Sequence, residues 1–306
     1  MTETSSAHQV PEKSTPFSDV QLICCAASRQ FCDRETVFGG VGISFLAVAI
    51  AKIVHTPEIV LMTEAGYVGF AGISSMDSPA DNHGGKGAVL HQGLFEMFRD
   101  MQAGLVSAAC LGFAQIDKFG NCNVTYVAPD IRMNGSGGGG DIASSAGRVV
   151  YVSKFSPRIF KDKLDYITNP GFLDGSPDAR EKANLVGGGP CCLVTDKGIF
   201  RFDDKTHEMV LSEIYPWQTD KDLDEIRAAV PWDLTIASQP KIIEPPSAVE
   251  MDALILMDPA KRYQEADALK RPVGKIFLEG KNDIASYREV TKIFNNSMLK
   301  AVDKLL

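Results

Sequence analysis

The chain reads as an α/β protein built on an open, mostly parallel β-sheet flanked by helices, and three stretches carry that expectation. Residues 59–62 form an apolar run that ends abruptly in Thr63-Glu64-Ala65-Gly66, the pattern of a buried parallel strand closed by turn formers. Residues 36–40 read as a short strand running into Gly39-Gly40-Val41-Gly42. Between them, residues 43–54 are helical in character and apolar nearly all round, as a buried crossover helix is. Pro57 ends that helix before the second strand. Residues 36–64 thus spell strand, helix, strand, the unit from which parallel sheets are made. In open α/β sheets the chemistry lies just outside the carboxyl ends of the strands. Glu64, expected as the last residue of its strand, is therefore well placed to act, and Gly66 lets the chain turn and a ligand come close to the backbone. The bland reading of a glutamate there is a helix cap or a surface charge.

The remaining elements follow in order. Residues 1–16 are polar, with two prolines, and read as a disordered tail. Residues 17–32 place Val20, Ile23, Cys24, Ala27 and Phe31 on one helical face. Residues 70–87 are rich in Gly, Ser, Asp and Pro and read as a long functional or mobile loop. A helix is expected over 90–101, with Leu90, Leu94, Phe95 and Phe98 as its apolar residues. Residues 105–116 read as one long strand and 121–127 as a second, joined by the turn Asp117-Lys118-Phe119-Gly120. A helix start over 142–147 precedes a strand over 148–153. Residues 191–195 and 199–202 read as a hairpin, 220–230 as a helix capped by Thr219, and 240–246 as a surface linker. Ile284, Tyr287, Val290, Phe294, Met298, Val302 and Leu305 recur at helical spacing over 283–306, an amphipathic helix that docks on this chain or on a partner.

Composition narrows the classes. With 306 residues, 44% hydrophobic and 23% charged, the chain suits one large globular domain or two modest ones. A net charge of −8 argues against nucleic acid as the main partner. Seven cysteines include two adjacent pairs and no C-x-x-C, and most lie in apolar segments, so most read as small core residues of a reducing cytoplasm. No apolar run is long enough to span a membrane, and the first residues lack a signal-peptide core. The three N-x-S/T sequons are accordingly incidental.

Five histidines form neither an i,i+4 pair nor an H-E-x-x-H motif, so no metal site is expected, although His83 and His91 could line a pocket. Ser44, Ser74 and Ser136 lack the G-x-S-x-G elbow of a serine hydrolase. Asp117 and Asp141 read as turn and cap residues. The run Gly135-Ser136-Gly137-Gly138-Gly139-Gly140 is the most unusual composition in the chain. Glycines before a helix can cradle an anion through backbone N–H groups. This run is not a P-loop, since no Gly-Lys-Ser/Thr follows, and it fits the G-x-G-x-x-G fingerprint only loosely. The alternative is a flexible linker, against which stand its strongly patterned flanks.

Taken in order, the motifs are more specific than any alone. The glycine turn and buried helix lead to strand-Glu64-Ala-Gly, then to Ala114-Gln115-Ile116-Asp117-Lys118-Phe119-Gly120-Asn121-Cys122-Asn123. The run Gly135 to Ala143, Lys163-Leu-Asp-Tyr-Ile-Thr-Asn-Pro-Gly, Val194-Thr-Asp-Lys-Gly-Ile-Phe-Arg-Phe-Asp and Tyr215-Pro216 follow. This series resembles the β subunit of family I coenzyme A transferases, such as glutaconate CoA-transferase. The resemblance covers residues 17–258 as one domain and leaves 259–306 as a C-terminal helical extension. It implies the fold shared by CoA transferases, glucosamine-phosphate deaminases and ribose-phosphate isomerases. It also implies a homologous α subunit, with the active site where the two chains meet.

By the same resemblance, Glu64 is the nucleophile of a ping-pong CoA transfer between an acyl-CoA and a carboxylic acid, through a glutamyl-CoA thioester. Backbone N–H groups of Gly137 and Gly138 are the implied oxyanion hole. Gly40, Gly42, Gly66, Gln115 and Gly139 are the implied lining of the substrate and CoA pocket. Coenzyme A enters as a substrate, and no permanently bound cofactor is implied. Two other readings stay open: a related hydrolase that opens a ring of a cyclic acyl-CoA, although those relatives have lost this glutamate, and a non-catalytic scaffold subunit.

Overall fold

Ser18 starts the first helix with a capping box closed by Gln21, and α1 (Asp19–Ser28) buries Leu22 through Ser28. The expected strand–helix–strand unit follows. It comprises β1 (Thr36–Gly39), α2 (Ile43–Ile50) with one π-helical turn over Ala51–His55, and β2 (Val60–Met62). β1 and β2 run parallel, with Thr36 opposite Val60 and Phe38 opposite Met62. Every α2 residue after Ile43 is buried, which is why its sequence shows no polar face. The computed structural model describes residues 15–71, 78, 85–127, 131–258 and 263. The expected tail, most of the 70–87 loop and the C-terminal helix lie outside these described residues.

Beyond β2 come β3 (Tyr67–Val68), β4 (Leu90–His91), α3 (Leu94–Gln102) and β5 (Ala108–Leu111). Two small ribbons follow, β6 (Gln115–Ile116) with β7 (Cys122–Asn123), and β8 (Tyr126–Val127) with β9 (Ile131–Arg132). The chain continues through α4 (Gly139–Ser145), β10 (Val149–Val152), α5 (Ala179–Lys182), β11 (Pro190–Thr195), β12 (Gly198–Phe202) and β13 (Met209–Ile214). It closes its described part with α6 (Asp220–Ala229), β14 (Thr235–Ile242) and α7 (Ala248–Met257). Among the described residues the main sheet has ten strands in the order β14-β13-β12-β11-β10-β5-β1-β2-β3-β4. Its centre, from β11 to β2, is entirely parallel, and antiparallel hairpins extend it on both sides.

The two-residue period of the strands sorts their side chains into two cores. Val37, Leu61, Ala108, Cys110, Val150, Cys192 and Val194 face α1, α2 and α7. Phe38, Met62, Ala109, Leu111, Val149, Tyr151 and Leu193 face α3, α4 and α6. Five cysteines (Cys24, Cys25, Cys110, Cys122 and Cys192) are buried and none of the seven is in a disulfide, in keeping with small apolar packing. No described helix is long and apolar enough to cross a membrane.

Four expectations are corrected. Residues 105–116 are not one strand, because after Leu111 the chain leaves the sheet and Gln115 pairs with Asn123 in a separate ribbon. Residues 121–127 break into two strands, because the Asn123 side chain accepts from Thr125 N–H at 3.0 Å and bends the backbone there. The helix expected from residue 90 starts at Leu94, since Leu90 and His91 add to the sheet edge against Val68 and Tyr67. Its buried residues are Met97 and Met101, whereas Leu94 and Phe95 are exposed. Finally, residues 240–242 belong to β14 rather than to a linker, and Pro240 is tolerated there because β14 is an edge strand.

A buried ion pair ties α7 to the helices beneath it. Glu250, fully buried, accepts from Arg29 Nε at 2.7 Å and Nη2 at 2.6 Å, and lies 2.9 Å from His55 Nε2. It also accepts from the Ser247 N–H and hydroxyl as the helix cap. Burial alone would push this carboxyl up; the Arg29 and Ser247 hydrogen bonds outweigh it and hold the carboxyl at about 2. The resulting stability is fully present above the ordinary value of 4.5 and is lost as pH falls through about 2. Glu250→Gln should therefore cost ~3 kcal/mol at neutral pH. Denaturant unfolding of both proteins should show that gap at pH 7 and a smaller one at pH 3.

Candidate active site

β2 ends at Met62, two residues before the expected strand end. Glu64 lies in the tight turn into β3. There the Gly66 N–H donates to Thr63 O at 3.0 Å and the Thr63 N–H to Tyr67 O at 3.1 Å. Gly66 has φ +86°, and a β-carbon on it would overlap the Gln92 carbonyl, so only glycine fits this turn. The Gln92 N–H donates back to Gly66 O at 3.0 Å, which pins the turn against the start of α3.

Glu64 opens into a cavity of 590 Å³ lined by Glu64, Ala65, Ser78, Leu94, Phe98, Gly137, Gly138 and Asp141. The glycine run 135–140 is an ordered turn and not a linker. Gly135 N–H donates to Val124 O at 3.1 Å, Gly139 N–H to Ser136 O at 3.0 Å, and Ile142 N–H to Gly138 O at 3.0 Å. A β-carbon at Gly138 would overlap the Glu64 carboxylate and would lie 2.6 Å from Phe98 Cζ. Sequence-distant Glu64 and Gly138 are thus in direct apposition. Among the described residues, the Glu64 carboxylate has no hydrogen-bond or ion-pair partner, and the N–H groups of Gly137 and Gly138 have no acceptor. An uncommitted carboxylate beside uncommitted backbone donors can attack a carbonyl and stabilise the oxyanion that forms.

The other expected pocket residues fall elsewhere. Gly40 sits where β1, β5 and α2 converge, its N–H donating to Cys110 O at 3.3 Å. Gly42 begins α2 at φ +77°, 3.6 Å (from its would-be β-carbon) from the Tyr263 ring. Gly139 packs against Asn169, whose Oδ1 would lie 2.6 Å from a β-carbon there. None of these, nor Gly66, is in the cavity lining. Gln115 is buried away from it, donating to Asp165 Oδ2 at 3.3 Å and accepting from Asn123 Nδ2 at 2.7 Å.

That side chain belongs to a polar network reaching the glycine turn. Asn123 Oδ1 accepts from Thr168 Oγ1 at 3.4 Å, Thr168 pairs with Thr125 at 2.7 Å, and Thr125 pairs with Ser136 at 2.8 Å. Asp141, expected as a cap, lies in the first turn of α4 and lines the cavity. Leu94 and Phe98, expected as helix core, form its apolar wall. The signal for both was available: Leu94 and Phe98 share a helix face with an i,i+4 spacing offset from the buried Met97 and Met101. His91 stacks edge-on against Tyr67 at 4.9 Å and does not reach the cavity, while His83 lies outside the described residues. Among the described residues no group of three or more His, Cys, Asp or Glu could hold a metal ion.

Comparison with known proteins places this geometry in a class. Residues 21–223 match the family model for Coenzyme A transferase, and the chain belongs to that family. It is 32% identical to the β subunit of the 3-oxoadipate CoA-transferase of Pseudomonas knackmussii over 78% of this chain and 92% of that protein. It is 30% identical to the β subunit of the glutaconate CoA-transferase of Acidaminococcus fermentans over 77% of this chain and 90% of that protein. The crystal structure of glutaconate CoA-transferase from the same organism superposes with a TM-score of 0.74 at 27% identity, covering 83% of this chain and 99% of that one. The decarboxylase AibA/AibB shares the fold, with a TM-score of 0.67 at 19% identity over 80% of this chain and 96% of that one.

The apposition of Gly138 and Glu64 gives a direct test. Gly138→Ala should keep the fold, because the added carbon enters the cavity side, but should displace the carboxylate. CoA-transfer activity should fall at least ~100-fold with an unfolding midpoint within a few degrees of the parent.

Proposed function

We propose that this chain is the β subunit of a heteromeric, family I CoA transferase that moves CoA between an acyl-CoA and a carboxylic acid. The observation that carries the reading is the Glu64 carboxylate, unpartnered among the described residues, set in a cavity against N–H groups of Gly137 and Gly138 that have no described acceptor. In this mechanism a Glu64 oxygen attacks the thioester carbonyl of the donor. The tetrahedral oxyanion collapses by expelling CoA as thiolate, which leaves a mixed anhydride between Glu64 and the donor acyl group. The thiolate then attacks the glutamyl carbonyl of the anhydride, the donor acid leaves as carboxylate, and Glu64 holds CoA as a thioester. The acceptor acid runs the same steps in reverse. Acyl activation is conserved throughout, so no nucleotide is hydrolysed. The donors of Gly137 and Gly138 act on the oxyanion, where one such donor is typically worth ~3 kcal/mol.

A second chain fits what surrounds the cavity. Val89, Leu90 and Phe95, around β4 and on α3, are exposed by 82, 48 and 77%. Large apolar side chains grouped in this way mark an interaction surface. The two transferase relatives are each one subunit of a heteromeric enzyme, which points to the α subunit as what covers it. Phe95→Asp should weaken assembly with that subunit at least ~10-fold, read by size-exclusion chromatography or titration of the two chains.

The catalytic assignment is tested by mixing the assembled complex with a series of acyl-CoAs and recording peptide mass spectra. A CoA adduct on the peptide holding Glu64 is expected. In Glu64→Gln the adduct should vanish and turnover should drop at least ~1000-fold with assembly intact. Acyl-CoA consumption with water uptake and no adduct would instead establish a hydrolase.

A further inference from the structure

We infer that the acyl group handled beside Glu64 is an apolar chain without a second carboxylate, an inference that rests on the transferase reading above. Leu94, Phe98 and Ala65 line the cavity with hydrocarbon, and its other described side chains besides Glu64 are those of Ser78 and Asp141. The ionisable groups among the described lining residues are Glu64 and Asp141, both acids. No lysine or arginine is among them. Arg99, next to Phe98 on α3, is committed to Asp100 at 2.8 Å.

A distal carboxylate bound here would lose water, meet hydrocarbon, and share the cavity with like charge. Such a group is strongly disfavoured unless a cation or several donors replace the lost water. A methyl-terminated chain meets none of these costs and gains contact with Leu94 and Phe98. Glutaconate and 3-oxoadipate, the acids in the names of two relatives, are both dicarboxylates. Leu94 and Phe98 are therefore assigned as residues that favour an apolar acyl chain.

The test uses the assembled complex with acetyl-CoA as donor and two acceptors of equal length, hexanoate and adipate. Hexanoate should be favoured at least ~30-fold in kcat/KM, since a site without a partner for a polar group discriminates steeply against it. Leu94→Arg, a change at a largely exposed position, should narrow that ratio at least ~5-fold by raising use of adipate. Adipate used as well as hexanoate, with the Glu64 adduct forming normally, would overturn this inference and leave the transferase reading standing. An assembled complex that forms no adduct and transfers CoA to neither acid would overturn both together.

Discussion

The structure of the site depends on one close approach, the backbone of Gly138 against the carboxylate of Glu64. A β-carbon would occupy the space the carboxylate needs, so the position has no side chain. Each partner in that approach is fixed independently. Glu64 is held by a turn that demands a left-handed glycine at Gly66, and Gly138 by hydrogen bonds at both ends of its loop. Two segments from distant parts of the chain meet because one follows β2 and the other lies on the crossover from β5 to β10, both strands of the parallel centre. β2 delivers the first at its carboxyl end, and the segment after β9 delivers the second at the start of α4. This is the arrangement expected where crossovers leave a parallel sheet on opposite faces. Here α2 departs from β1 toward one core and α4 leads from β5 toward β10 through the other.

Legibility followed the physics of each element. The β1–α2–β2 unit could be read because a fully buried helix and a two-faced buried strand leave no polar positions to blur the pattern. The hairpin β11–β12 and the Thr219 cap were equally plain, since turn and cap chemistry is local. β3 and β4 were not legible, because each is two residues long and β4 exists only by pairing with a strand more than twenty residues away. β6 and β8 were read as parts of longer strands, since only their side-chain and ribbon pairings break those strands. Gly40 and Gly42, implied by the resemblance as pocket lining, lie outside the Glu64 cavity, where strand packing and the start of α2 surround them.

The misreading of α3 is the more instructive case. Apolar residues at helical spacing normally face a core, and Leu94 and Phe95 satisfied that rule by sequence alone. In the fold, the side of α3 that packs inward is carried by Met97 and Met101, leaving the other apolar residues beside the cavity and on open surface. A helix with apolar residues on more faces than one core can bury has a second surface to cover. Sequence periodicity cannot say whether core, ligand or partner covers it. Geometry divides the duty here: Leu94 and Phe98 toward the cavity, Phe95 away from the core.

Two glutamates show how the fold distributes electrostatic cost. Glu250 is wholly buried, yet every demand of its charge is met by Arg29, Ser247 and His55, and the result is a fastening for α7. Glu64 is placed at a cavity, next to backbone donors, with no side chain committed to it among the described residues. Satisfying Glu64 in the same way would stabilise the protein but engage the lone pairs that the proposed mechanism needs free. In that mechanism the glycine turn offers donors from the backbone, where they can serve an oxyanion without first pairing the carboxylate. The network from Gln115 through Asn123, Thr168 and Thr125 to Ser136 then has a clear physical duty. It stiffens a segment of four consecutive glycines whose own backbone entropy would otherwise scatter those donors.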